Sequence, residues 1–106
     1  MKSTPDFNAK LRYLTKEAGG RSTPAFSGYR PQVKFAFSDM QTSGQQKFLD
    51  REIVYPGEEV LAEITIISTQ PFEKKLYPGL CFDFREGPRI IGNGEIIEVL
   101  NADLKQ

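Results

Sequence analysis

Arginines set beside glycine or proline are the residues of this chain best suited to chemistry. They recur in Gly19-Gly20-Arg21-Ser22-Thr23-Pro24, in Gly28-Tyr29-Arg30-Pro31-Gln32 and in Arg85-Glu86-Gly87-Pro88-Arg89. Glycine and proline restrict or special-case the local backbone, so a guanidinium between them is held ready to meet a carboxylate, a phosphate or an aromatic face. The competing reading is internal, with the same arginines tying the chain's own loops together through salt bridges. Both readings stay open for Arg21, Arg30, Arg85 and Arg89.

Catalytic chemistry finds less to use. Histidine is absent, which removes the side chain that most often moves protons near neutral pH and the commonest zinc ligand. The single cysteine, Cys81, has no imidazole to activate it, and the strand pattern sets it beside Asp83, whose charge would oppose the thiolate. A phosphate-binding loop needs lysine directly after glycine, and lysine never follows glycine here. Gly92-Asn93-Gly94 lacks the third glycine and the following helix of a dinucleotide fingerprint. The carboxylate pairs Glu58-Glu59 and Glu95/Glu98 read as solvated charge. The expectation is a chain that is not an enzyme, binds no GTP by itself, and carries no cofactor or metal.

The elements that must position the arginines are strands. The chain has 106 residues, with fourteen Lys+Arg against fourteen Asp+Glu, which suits one domain over 1–106 and argues against binding through global charge. The start Met1-Lys2-Ser3-Thr4-Pro5-Asp6 has no apolar leader and no stretch is apolar for membrane-spanning length, so a cytoplasmic protein without membrane contact is expected. Period-two alternation runs through Phe7–Tyr13, through Gln32–Phe37 with Val33, Phe35 and Phe37 inward, through Glu59–Ser68, and through Leu80, Phe82 and Phe84. Phe48–Val54 is a weaker strand, and Asp39–Gln46 reads as a polar connection. Tyr55-Pro56-Gly57-Glu58 and Tyr77-Pro78-Gly79 are turns. The last strand, Ile90–Leu100, is broken at Gly92-Asn93-Gly94 by a hairpin turn or a close backbone approach. Short strands must cover their edges, and a closed barrel or a compact sandwich does so.

These blocks, in this order, resemble the third, C-terminal domain of bacterial elongation factor Tu. The resemblance runs from about Phe7 to Leu100. It rests on Glu17-Ala18-Gly19-Gly20-Arg21-Ser22-Thr23-Pro24, Phe26-Ser27-Gly28-Tyr29-Arg30-Pro31-Gln32, Pro56-Gly57-Glu58, Gly79–Phe82, and Arg85-Glu86-Gly87 with Arg89 and Ile91-Gly92-Asn93-Gly94. It implies an all-β fold, a six-stranded antiparallel Greek-key barrel over 7–100. In the family this domain does no catalysis, packs against the GTPase domain, binds the T-stem backbone of aminoacyl-tRNA and helps contact the nucleotide exchange factor.

Carried over by position, the RNA-facing candidates are Arg21, Gln32, Ser38, Glu86 and Gly87, with Ser22 where the family usually has histidine. Arg30, Asp83 and Arg89 are the candidates for protein contact. Pro88 replaces a family glycine, and Asp83 puts charge at a position that is typically small and apolar, which suits a face open to water. The implied function is a non-catalytic, stand-alone binding module associated with translation, whose partner is tRNA or another RNA. The alternatives are a modulator or decoy that contacts a translation factor or GTPase domain, and a paralogue with no retained translation role.

Overall fold

Alternation of large apolar with polar residues buries one face of each strand, and in this chain that face closes on itself. The structure, a computed structural model, describes residues 4–106; Met1–Ser3, on which the expectation about the chain's start partly falls, lie outside the described residues. The elements in chain order are β1 (Phe7–Tyr13), β2 (Ala25–Phe26), β3 (Gln32–Phe35), β4 (Gln41–Phe48), β5 (Ile53–Val54), β6 (Glu59–Ile66), a 3-10 turn (Gln70–Phe72), β7 (Cys81–Glu86) and β8 (Arg89–Val99). Six of them form a closed antiparallel barrel in the order β1-β6-β4-β3-β7-β8, and β2 pairs with β5 beside it. The successive barrel strands β3, β4 and β6 are neighbours and β1 lies against β6, the Greek-key arrangement. Closure leaves no barrel strand with an unpaired edge.

The barrel interior is the face the alternation pointed to. Phe7, Ala9, Leu11 and Tyr13 of β1, and Val60, Ala62, Ile64 and Ile66 of β6, are all buried, as are Leu80, Phe82 and Phe84 at β7. Rings meet edge-on, with Phe7 5.7 Å from Phe82 and Tyr13 5.0 Å from Phe84, the geometry the ring quadrupole favours. Both Tyr-Pro-Gly segments turn as expected: the Glu58 amide donates to the Tyr55 carbonyl at 3.0 Å and the Leu80 amide to Tyr77 at 3.1 Å.

Four readings need correction. Gln41–Phe48 is a full strand, so most of the polar run expected to be a connection belongs to the barrel wall. Its inward residues are Thr42, Gly44, Gln46 and Phe48, and only the last is large and apolar, so the period was present but hidden. Each small or polar one is used: Thr42 Oγ1 accepts from the Ser68 amide, a Cβ on Gly44 would fall 2.6 Å from Val33 Cγ2, and Gln46 Oε1 accepts from the Tyr13 hydroxyl. The weak strand at 48–54 shrinks to the end of β4 and the two residues of β5.

β8 runs unbroken through Gly92-Asn93-Gly94, so of the two alternatives the hairpin turn fails and the close backbone approach holds, a Cβ on Gly92 falling 2.8 Å from the Arg12 carbonyl oxygen. A Cβ on Gly92 would sit 2.1 Å from Phe84 Cζ, and one on Gly94 2.4 Å from Phe82 Cζ. The glycines make beds for two core rings carried by the neighbouring strand. At the end of β3, Phe37 has left the strand and is 44% exposed, stacked on Phe35 at 5.9 Å.

Residues 101–106 add a clasp beyond the expected boundary. The Leu76 amide donates to Leu104 at 2.9 Å and the Gln106 amide returns to Leu76 at 2.8 Å, which draws Leu104 fully into the core under the β6–β7 crossover.

A candidate anion-binding corner

One end of the barrel gathers the arginine loops. Arg21 arrives there through a tight turn in which the Gly20 amide donates to the Thr15 carbonyl at 2.8 Å. A Cβ on Gly20 would lie 2.2 Å from the Leu14 carbonyl oxygen, so no other residue fits without moving the loop. From there the guanidinium is spent close to home. Nε donates to the Thr23 carbonyl at 3.3 Å, Nη2 to Thr23 Oγ1 and to the Pro24 carbonyl at 3.2 Å each, and Nη1 to Glu86 Oε2. Its Cζ lies 4.6 Å from the Tyr29 ring centroid, within cation–π range.

Glu86 is the hub. It ends β7 just before the two-residue Gly87-Pro88 hairpin loop. Gly87 has φ +60°, the first central position of a type II′ turn, and the second position suits proline's fixed φ, which explains why Pro88 can replace a glycine here. The Glu86 carboxylate accepts from Arg21, from the Tyr29 hydroxyl and, at 3.4 Å, from Arg89 Nη2 across the turn. Burial raises its affinity for a proton, but the Tyr29 hydrogen bond and the Arg21 charge outweigh that and hold the carboxyl below its ordinary range. The same environment pushes the Tyr29 hydroxyl upward, first by burial and then through its bond to Glu86.

Below the corner, Tyr13 donates to Gln46 inside the barrel, and burial raises the Tyr13 hydroxyl as well. Gln46 is wholly buried and its Nε2 has no hydrogen-bond partner among the described residues.

The other sequence-derived residues fall into three groups. Gln32 opens β3 opposite Arg85 and donates to Ser43 Oγ at 2.8 Å, while Gly87 and exposed Ser22 belong to the corner loops; Ser22 makes no hydrogen bond among the described residues. Ser38 lies apart from them, in the β3–β4 turn at the far end of β3, where its Oγ accepts from the Met40 amide at 3.0 Å. The arginines divide. Arg85 is paired with Asp83 through Nε at 2.7 Å and Nη2 at 3.1 Å, so the Asp83 carboxylate is balanced by a neighbour on its own strand face; its side chain is only 23% accessible, not the open, water-facing charge expected. Arg30 is exposed and has no ion pair or hydrogen bond among the described residues, and Arg89 is 56% accessible with one long contact.

Sequence reasoning quoted Tyr29 inside a motif without giving it a role, and it missed the Tyr13–Gln46 pair. The signal for the second was there: an inward tyrosine needs a partner for its hydroxyl. Cys81 lies exposed on the outer wall, in an open groove with Lys10, Arg12, Glu59 and Glu95, and its sulfur contacts the Gly79 carbonyl at 3.7 Å. Among the described residues no cluster of three or more potential metal ligands occurs, and no helix is long and apolar enough to cross a membrane.

The sequence pattern of the elongation factor Tu C-terminal domain matches residues 1–100. The six-strand antiparallel barrel is consistent with that match. The chain belongs to the elongation factor Tu C-terminal domain family.

Proposed function

We infer that this chain is a non-catalytic, translation-associated module whose arginine corner binds the phosphate backbone of a structured RNA. Family membership implies a translation-associated domain without a catalytic site of its own, and tRNA is the first RNA it suggests. The observation that carries the reading is the division among the arginines. Arg21 and Arg85 are neutralised by Glu86 and Asp83, whereas Arg30 and Arg89 keep exposed guanidiniums at the same end of the barrel. Around them, Ser22 offers a free hydroxyl, Gln32 a partly exposed amide, and Gly87 open space where a backbone could come close. Arg21 and Glu86 then shape the corner, while Ser38, at the other end of β3, would be reached only by an RNA lying along that strand.

The second reading, contact with a protein such as a GTPase domain, draws on exposed Phe37 and Met40 in the β3–β4 turn, away from the corner. Gel-shift titration with aminoacylated and deacylated tRNA separates the two. A shift at micromolar protein that Arg30→Ala and Arg89→Ala weaken supports the RNA reading. No shift with either tRNA removes it, and a Phe37→Ser variant in a pull-down against a translational GTPase then tests the other.

A further inference from the structure

We propose that the chain forms a reversible homodimer through the outer wall of β7, β8, β1 and β6, with a two-fold axis running between β1 and β8. The wall lies on the barrel's side, apart from the corner, so the dimer is independent of RNA binding there. Strand register places Cys81, Glu95, Lys10 and Leu61 in one straight row across these four strands. All four are exposed, Leu61 by 44%. The row reads apolar, acid, base, apolar.

A two-fold axis in the plane of contact pairs each residue with the one equally far on its other side. Set between β1 and β8, it brings Lys10 of one copy to Glu95 of the other, twice over, and Cys81 to Leu61 on either flank. An axis along β1 would face Lys10 with Lys10, and one along β8 would face Glu95 with Glu95, where like charges repel. Charge complementarity therefore selects one arrangement. Within the chain Lys10 turns to Glu59 at 3.4 Å, and Glu95 has no ion pair among the described residues, so the acid of the row is still to be matched. In the next row Asn93 meets Arg12, whose Nη1 is left over after Nε and Nη2 donate to Glu59. The flanking carboxylates of that row, Asp83 and Glu59, are each paired with an arginine of their own chain, and barrel curvature carries them away from the axis.

Two convex walls touch along a line, which buries little unless the gap is filled. An open hollow of about 310 Å³, bordered by Cys81, Glu95, Lys10 and Glu59, lies along that line and can seat side chains of the second copy. Ile97, the extra residue of the β8 bulge, adds an exposed apolar side chain to the same wall. Four strands about 4.8 Å apart and about 24 Å long cover roughly 450 Å² per copy, which belongs to the small, readily dissociating class of interfaces.

Sedimentation equilibrium at protein concentrations from about 10 µM to about 1 mM reads the association, and thermal melts by circular dichroism establish that each variant is folded. Glu95→Lys and Lys10→Glu should each weaken the dimer at least about tenfold, because symmetry turns two attractive contacts into two repulsive ones. Lys75→Glu, an exposed charge reversal on the β6–β7 crossover, is the control and should stay within about twofold of wild type. Mixing the two wall variants restores both contacts, so an equimolar mixture should dimerise within about threefold of wild type although neither variant does so alone. Leu61→Gln, which alters no charge, should weaken association about fivefold, and with Glu95→Lys it carries the test if Lys10→Glu does not fold. A wild type that stays monomeric at every concentration overturns the proposal and leaves the wall to a partner of other sequence. So does a dimer that the charge reversals leave intact, or a mixture of folded variants that fails to associate.

Discussion

Replacing Tyr13 by phenylalanine removes one oxygen from the barrel interior and should cost far more than its size suggests. The Tyr13 hydroxyl donates to Gln46 Oε1, both side chains are buried, and the Gln46 Nε2 already lacks a partner among the described residues. In Tyr13→Phe the Gln46 side-chain amide is left buried with no hydrogen bond among the described residues. The cost of such an orphaned buried group is about 1–3 kcal/mol. For a chain of this length that corresponds to a fall in Tm of roughly 5–15 °C. Gln46→Met strands the tyrosine hydroxyl instead, but it also removes the unpaired Nε2, so its cost should be smaller, about 0–2 kcal/mol. The double variant replaces both polar partners with apolar groups of similar shape and should return to within about 1 kcal/mol of wild type. Urea denaturation followed by circular dichroism closes this double-mutant cycle, with an expected coupling of at least about 1 kcal/mol. Additive effects, or a neutral Tyr13→Phe, would refute the claim that this pair is buried and mutually dependent.

Other consequences follow from the same geometry. Gly94→Ala would push a methyl to within 2.4 Å of Phe82 Cζ, and thermal melts should show a loss of about 1–3 kcal/mol from overpacking between β7 and β8. Leu104→Ala should empty a fully buried site under the β6–β7 crossover and cost about 2–5 kcal/mol by chemical denaturation, although it lies outside the barrel strands. Because Glu86 holds its proton less tightly in the folded chain than its ordinary value of 4.5, its stabilisation is complete above that pH and is lost as pH falls through the lower, folded value. Stability measured from pH 6 down to pH 3 should therefore fall less steeply in Glu86→Gln than in wild type.

The strands whose inward residues are all apolar were legible from sequence. In β1 and β6 each buried position is occupied by a residue that announces itself, so period two is visible in the letters. In β4 the same period is carried by threonine, glycine and glutamine, whose reasons for being inside lie on other strands: Val33 crowds Gly44, and Tyr13 supplies the partner for Gln46. No local pattern contains those contacts. The two alternatives for the glycines of β8, a hairpin turn or a close backbone approach, could not be separated for a related reason: the Arg12 carbonyl and the Phe82 and Phe84 rings that demand them belong to β1 and β7.

The corner was legible as a set of loops but not as an electrostatic arrangement. Arg21 and Arg30 look alike in the sequence, each beside glycine or proline, yet one is surrounded by acceptors and the other has none among the described residues. The difference comes from Glu86, which reaches Arg21 across a separation of 65 residues, and spacing along the chain says nothing about which guanidinium it will choose. The Leu104 clasp was unreadable because a lone leucine in a polar tail is an ordinary surface residue until the crossover it covers is known.

The salt dependence of tRNA binding tests the central claim most directly. Two exposed arginines, Arg30 and Arg89, each meeting one phosphate of a duplex stem, predict a slope of log affinity against log salt of about −1.8, or roughly a twelvefold loss between 50 and 200 mM. Arg30→Ala and Arg89→Ala should each reduce that slope by about 0.9. Binding that is indifferent to salt, or a slope that neither substitution changes, would contradict it.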